Sequence, residues 1–441
     1  MAYEARPAVT AENGVVISPA RARWVLGVLV AVYAVNFIDR NILGILLQPI
    51  KEELGVSDTA MGFLTGPAFA VFYTAAGIPI ARLADRGSRR GLMALGLAFW
   101  SLATAASGLA RSFAQLAAAR VAVGVGEATA TPAAHSILSD VFPPERRTRA
   151  LAVYNAGASV GMFFGLLFGG WLQEAFGWRV AFAVVGLPGI ALALVVRTTI
   201  PEVRRGGAEG RADRGPAPPM REALRALWSL PSYRCICVAA GLYAMSAYGM
   251  TMWAAAMLDR VHGIPYSEIG TRLAVVVGLC GAVGAILSGA LCDRLARRDV
   301  RWQLWVPALA GVLLLPFLAL FALAPDPDLA VAAFAPVNLL NVVFAAPTYA
   351  LAQGLARLRV RALASASVLL VLNLIGMGLG PLLVGVLNDA FAPHLGAEAV
   401  RVSLLLVAGA GALGGVPSLL AGRTLAADLA RVEAADAPGN A

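Results

Sequence analysis

Charge is scarce in this 441-residue chain: Asp, Glu, Lys and Arg together make up 14% of it, against about 25% in a soluble domain. Lysine is almost missing, with one residue, Lys51, beside 34 arginines. Four cysteines in 441 residues exclude a secreted disulfide scaffold. Cys235-Ile-Cys237 has no partner ligands nearby, so the cysteines read as small apolar packing residues. No nucleophile–base pair, metal cluster or phosphate-binding glycine loop stands out, which argues against an enzyme. What is abundant is apolar surface. The residues AVILMFWYC make up 59% before the 46 glycines are counted, whereas soluble proteins reach about 45–50% with glycine included. Such hydrophobicity also excludes disorder. At about 20 residues per crossing, twelve helices need about 240 residues and leave about 200 for loops and tails. The chain reads as a polytopic membrane protein.

Twelve apolar stretches are visible, at 23–47, 59–81, 91–110, 113–140, 150–173, 178–196, 233–258, 267–292, 302–323, 329–354, 362–387 and 400–421. With a cytoplasmic N-terminus, the five inward loops hold 22 basic residues and the six outward loops hold 6. The positive-inside rule therefore assigns both termini to the cytoplasm. The net charge of +9 is a topology signal, and no arginine cluster outside that pattern suggests nucleic-acid binding. Residues 1–22 are a polar tail without a cleavage site, so the first stretch is a retained helix.

The longest inward loop, 197–232, divides the chain into six-helix halves at 23–196 and 233–422, with a C-terminal tail at 423–441. Within this linker, 220–230 has apolar residues at helical spacing and predicts a surface helix at the inner leaflet. The halves echo each other. Ala81-Arg82-Leu83-Ala84-Asp85-Arg86-Gly87-Ser88-Arg89-Arg90 returns as Gly289-Ala290-Leu291-Cys292-Asp293-Arg294-Leu295-Ala296-Arg297-Arg298, with the aspartates 208 residues apart. Arg149-Ala150-Leu151-Ala152 likewise returns as Arg361-Ala362-Leu363-Ala364. Two parallel repeats about a central linker are the sequence form of a rocking-bundle transporter.

Charges inside apolar helices are costly, about 2.5–3.5 kcal/mol or more each, and mark functional sites by default. Asp39, Arg40, Arg120 and Glu127 are the ones that stand out. At about 1.5 Å per residue, Asp39 and Arg120 reach similar depths. Glu127 lies on the same face as Arg120 but about 10 Å deeper, with no basic residue expected at its own level. A desolvated carboxylate can exchange a proton near neutral pH. Asp39 and Glu127 are therefore the expected protonation sites. Arg40 and Arg120 either attract an anionic substrate group or keep the acids ionised; a silent ion pair is the structural alternative. His135, eight residues beyond Glu127, is expected to share its face. Asn36, Asn338, Asn341 and Asn373 serve either as substrate contacts or as interhelical hydrogen-bond partners. The second half offers no strong intramembrane charge. A cavity charged on one wall and apolar on the other suits an amphipathic substrate.

The doubled Gly-x-Leu-x-Asp-Arg-x-x-Arg-Arg loop resembles motif A of the major facilitator superfamily, with Ala81 in place of the first glycine. Arg120-Val-Ala-Val-Gly124 resembles that superfamily's Arg-x-x-x-Gly motif. The resemblance spans about 20–422. It implies an all-α membrane protein of twelve transmembrane helices in two six-helix repeats. An aspartate at a helix end can meet the N-terminus of a neighbouring helix, and arginines can pair with it or with anionic headgroups. Asp85, Arg86, Arg89, Arg90, Arg149, Asp293, Arg294 and Arg298 are thus expected to form a cytoplasmic gate; the alternative for the arginines is that they only set topology. Gly161-x-x-x-Gly165-x-x-x-Gly169-Gly170 lacks the Gly-Pro pair typical of drug antiporters, and a drug:proton antiporter of the same fold stays open as an alternative.

A finer resemblance, to the Spinster branch, is carried by Asn36-Phe-Ile-Asp39-Arg40, Gly126-Glu127-Ala128-x-x-x-Pro132-Ala-Ala-His135-Ser136 and Asp140-Val-Phe-Pro143-Pro144. It implies proton-coupled export of lysolipid-like or sphingosine-phosphate-like substrates, with Asp39 and Glu127 as switching carboxylates and Arg40 and Arg120 beside them. The Asn-x-x-Asp-Arg and Gly-Glu-Ala pieces also resemble organic-anion:cation symporters. The expected protein is a monomer in a bacterial plasma membrane, among membrane lipids, using a proton gradient and no bound cofactor or metal.

Overall fold

The computed structural model describes residues 17–202, 219–357 and 360–436. It is all-helical among these residues, and each of the twelve apolar stretches falls on helix. Among the described residues eight helical runs are long and apolar enough to cross a membrane, two of them, 146–199 and 363–434, each covering two of the stretches.

The chain divides into two compact units. The first comprises residues 1–46 and 72–214, the second 47–71 and 215–441. Residues 47–71, continuous in sequence with the first half, group with the second unit.

In the first unit, α1 (Pro19–Leu54) contributes its residues up to 46. It is joined by most of α3 (Pro67–Arg86), and by α4 (Arg89–Ser107), α5 (Phe113–Glu127), α6 (Ala130–Val141) and α7 (Pro144–Thr199). α2 (Asp58–Thr65) belongs to the second unit. Serine caps start several of these helices. Ser57, Ser88 and Ser112 each accept a backbone N–H three residues ahead, satisfying one of the orphan donors of a helix start. α7 is two helices joined at Gly177, whose φ of 81° and ψ of 165° suit only glycine. That break separates the expected stretches 150–173 and 178–196.

The glycine run in α7 has a packing role. A methyl group added at Gly157 would stand 2.8 Å from the Val30 carbonyl oxygen, and one at Gly165 3.0 Å from Ile38 Cα. One at Gly161 would overlap the Ala34 carbonyl and lie 2.7 Å from Phe37 Cβ. Without a hydrophobic driving force between lipid-bathed helices, such small residues allow backbone approach. This seam fixes α1, and with it Asp39 and Arg40, against α7. Gly161→Val should therefore cost about 1–3 kcal/mol by overpacking, read as a lowered thermal midpoint in detergent; an unchanged midpoint would show that the seam yields.

The second unit continues with α8 (Met220–Ser229), a helix where 220–230 predicts one, and α9 (Pro231–His262). Next come α10 (Tyr266–Leu273), α11 (Gly281–Ala296), α12 (Trp302–Leu323), α13 (Pro327–Asn341) and α14 (Ala345–Gly354). α15 (Arg361–Val371), α16 (Gly380–Leu395), α17 (Ala399–Ala412) and α18 (Gly415–Asp436) close the chain. Two seven- to eight-residue π-helical segments, Ala274–Cys280 and Leu372–Leu379, join α10 to α11 and α15 to α16. α18 runs through the expected tail, and its buried Asp428 accepts from the Ser232 backbone N–H at 3.0 Å and its hydroxyl at 2.6 Å, capping α9.

Candidate functional site

All four intramembrane charges fall in the first unit, on α1 and α5. Asp39, Arg120 and Glu127 are buried at 0%, 2% and 0% exposure. Their pairing differs from the expectation. Arg40 Nε donates to Glu127 Oε2 at 2.6 Å, and the Arg40 side chain keeps 16% exposure while Glu127 keeps none. Glu127 thus does have a basic partner. The Cα rise placed it on a different level, but an arginine side chain bridges that difference with its apolar stem. Arg120, on α5, also reaches α1. Its Nη1 reaches the Asp39 main-chain oxygen at 3.4 Å. Asn36, 1% exposed, faces Glu127.

An aromatic chain lies around Arg40. Its guanidinium stands 4.8 Å from the Tyr73 ring centroid and 5.3 Å from that of Phe37, within cation–π range. Phe37 meets Tyr33 edge-on at 5.0 Å, and Tyr33 stacks on Tyr154 at 4.4 Å. His135 closes the chain, 5.5 Å from the Tyr154 ring. Between Glu127 and His135 the helix is interrupted by a turn at 128–129 and resumes as α6, which carries His135. Tyr33, Tyr73 and Tyr154 escaped sequence reasoning. Tyr33, Phe37 and Arg40 at i, i+4 and i+7 of α1 carried the signal, one stripe beside that of Asn36 and Asp39.

The cytoplasmic-gate residues divide. The side chains of Asp85 and Arg86 lie outside the described residues. Arg89 is buried, donates to Ser136 Oγ at 2.8 Å and pairs with Asp140. Arg90 pairs with Glu202 at 3.4 Å and donates to the Ile200 carbonyl at 3.1 Å. Glu202 also accepts from Ser88 Oγ at 2.6 Å and from the Arg89 backbone at 3.1 Å, so one carboxylate ties down the start of α4. Arg149, Asp293, Arg294 and Arg298 are exposed.

In the second unit Asn338 and Asn373 are buried, and Asn341 Oδ1 accepts from Ser246 Oγ at 3.4 Å. Ser246 and Asn341 line a cavity of about 10 Å³ with Tyr243 and Phe344, room for one water. A stronger polar cluster escaped the sequence. Arg260 donates to both carboxylate oxygens of Asp58, at 2.5 and 2.7 Å, and to Gln48 at 2.7 Å. Lys51 Nζ lies 2.6 Å from the same carboxylate. Asp389 accepts the backbone N–H groups of Asp58 and Thr59 at 3.0 and 2.7 Å, at the N-terminus of α2.

Comparison with known proteins agrees with this architecture. Residues 29–381 match the Major Facilitator Superfamily family model. The chain is 35% identical over 394 residues to a protein from Mycolicibacterium smegmatis described as an MFS-type efflux pump, covering 88% of this chain and 90% of the relative. It is 29% identical over 422 residues to a D-galactonate transporter of Escherichia coli, covering 89% and 95%. The crystal structure of a bacterial homologue of the human lysosomal transporter Spinster, inward-facing and occupied, superposes with a TM-score of 0.85 at 29% identity, covering 93% of this chain and 99% of that one. With a buried acid–base set on two packed helices of an all-helical membrane fold, the chain belongs to the Major Facilitator Superfamily and is a Spinster-like transporter, not an enzyme.

Proposed function

We propose that the protein is a proton-coupled secondary transporter of amphipathic lipids with an anionic headgroup, of the lysophospholipid or sphingosine-phosphate kind. The Arg40–Glu127 pair carries this reading: one partner is fully buried, while the other is partly exposed among Phe37 and Tyr73. An anionic headgroup arriving at Arg40 competes with Glu127 for the guanidinium, and a displaced, desolvated carboxylate takes up a proton. Substrate and proton thereby exchange one charge partner. Aromatic faces beside Arg40 suit the apolar part of an amphipath. Asp39 is the second protonation site, and the two bundles alternate access by rocking in a bacterial plasma membrane, with both chain ends cytoplasmic. No bound cofactor is needed, since the proton gradient supplies the work.

The similarity to a D-galactonate transporter favours a second reading, a small organic anion held by the same arginine. Proteoliposomes with an imposed pH gradient separate the two. Labelled lysophospholipid should move, and Glu127→Gln should abolish its gradient-driven flux. Flux of a small sugar acid with none of lysolipid would sink the first reading and establish the second; flux of a cationic dye alone would sink both.

A further inference from the structure

Buried polar atoms nearly always have a partner, so each exception calls for a physical reason. In the first unit several of the exceptions adjoin one carboxylate. Neither oxygen of Asp39 has a hydrogen-bond partner, although the residue is fully buried. Trp100 and Thr104 of α4 face that carboxylate. Trp100 Nε1, Thr104 Oγ1 and the adjacent Ser101 Oγ are buried and unpartnered as well. Trp100 and Thr104 are four residues apart, so they share one face of α4. Neighbouring helices close tightly on this stretch of α4. A methyl group at Gly126 would come 2.7 Å from Trp100 Cβ, and one at Gly189 would overlap Ser101 Oγ.

Buried donors left without partners are stabilised by a neighbouring acceptor that carries charge. An indole N–H can only donate, and Arg120 adds further donors by reaching the Asp39 main chain. Asp39 is therefore divided between two helices. Its carbonyl goes to α5, and its carboxylate goes to α4. The charged groups acting on it, Arg120 and Glu127, both come from α5, with Arg40 next to it on α1. α4 contributes only uncharged donors.

We propose that Trp100 and Thr104 are positioning residues for Asp39, their N–H and O–H donors drawing its ionised carboxylate to the α4 side. This rests on the reading of Asp39 as a protonation site. A proton on Asp39 weakens it as an acceptor for these donors, so protonation loosens α1 from α4.

The test uses the full chain in proteoliposomes. Trp100→Phe keeps the ring and removes the N–H; Thr104→Val keeps the shape and removes the hydroxyl; Thr104→Ser restores it. Trp100→Phe and Thr104→Val should each move the midpoint of the transport–pH profile to higher pH, by about threefold to tenfold in proton activity, because the ionised carboxylate loses a donor. Thr104→Ser should return it. The infrared carbonyl band of protonated Asp39, identified by its loss in Asp39→Asn, should shift in Trp100→Phe. In an Asp39→Asn background Trp100→Phe should leave the profile alone. If Trp100→Phe does not fold, the Thr104→Val and Thr104→Ser pair reads the same quantity. Wild-type profiles and an unmoved band in variants of unchanged thermal midpoint overturn the proposal. If Asp39→Asn itself keeps the full pH dependence and no carbonyl band is lost, the protonation role of Asp39 fails, and the positioning role with it.

Discussion

Arg40→Ala is expected to be the most damaging single change in the first unit, and to be partly repaired by a second substitution. Removing Arg40 leaves Glu127 fully buried without the guanidinium 2.6 Å away, and breaking a buried pair from one side costs about 3–5 kcal/mol. Much of that cost is the stranded charge. Arg40→Ala combined with Glu127→Gln should therefore recover a large part of the stability lost in Arg40→Ala alone, while transport stays absent in both. Four thermal melts in detergent give the coupling energy directly, expected at about 2 kcal/mol or more for groups in one charged network. A double variant no more stable than Arg40→Ala would mean that the pair is a minor contact, and the exchange of partners proposed for transport would lose its basis.

The second large effect is expected at Arg260. Its two bonds to Asp58 and one to Gln48 bring residues of 47–71 to α9. Arg260→Ala leaves Asp58, 4% exposed in its side chain, with Lys51 as its remaining cationic side-chain partner. The loss should approach about 3 kcal/mol, the low end for a buried pair, because Lys51 still neutralises the carboxylate. Arg260→Lys should recover little, since an ammonium cannot make the two-pronged contact. Hydrogen exchange across 58–65 should accelerate at least about tenfold in Arg260→Ala as the local opening energy falls. Unchanged exchange there would show that Asp389 and the close backbone contacts of Gly62 and Gly66 hold α2 unaided.

How much of this was visible beforehand depended on contrast. Asp39, Arg40, Arg120 and Glu127 stood out because ionised groups are rare in apolar helices, and the structure gathers them in one unit. Their partners are not legible in backbone spacing, because an arginine spans several ångströms beyond its own Cα. Tyr33, Phe37, Tyr73 and Tyr154 had no contrast; an aromatic ring in an apolar helix looks like packing until its neighbours are known. Asp58 and Arg260 are separated by 202 residues and fall near loops, where charge is unremarkable. The π-helical segments leave no compositional trace. The glycines of α7 were conspicuous in the sequence, but their role needed the facing carbonyls of α1.

Lys51 gives the rarest residue of the chain a practical use. Apart from the chain terminus, the protein offers one primary amine, and that amine is held against Asp58 at 2.6 Å with 28% of its side chain exposed. An amine-selective reagent, read at Lys51, is consequently a reporter of the Asp58 cluster. Its reaction rate at Lys51 follows how often that ammonium is released, so the attachment of residues 47–71 can be timed in the unmodified protein, without an engineered label.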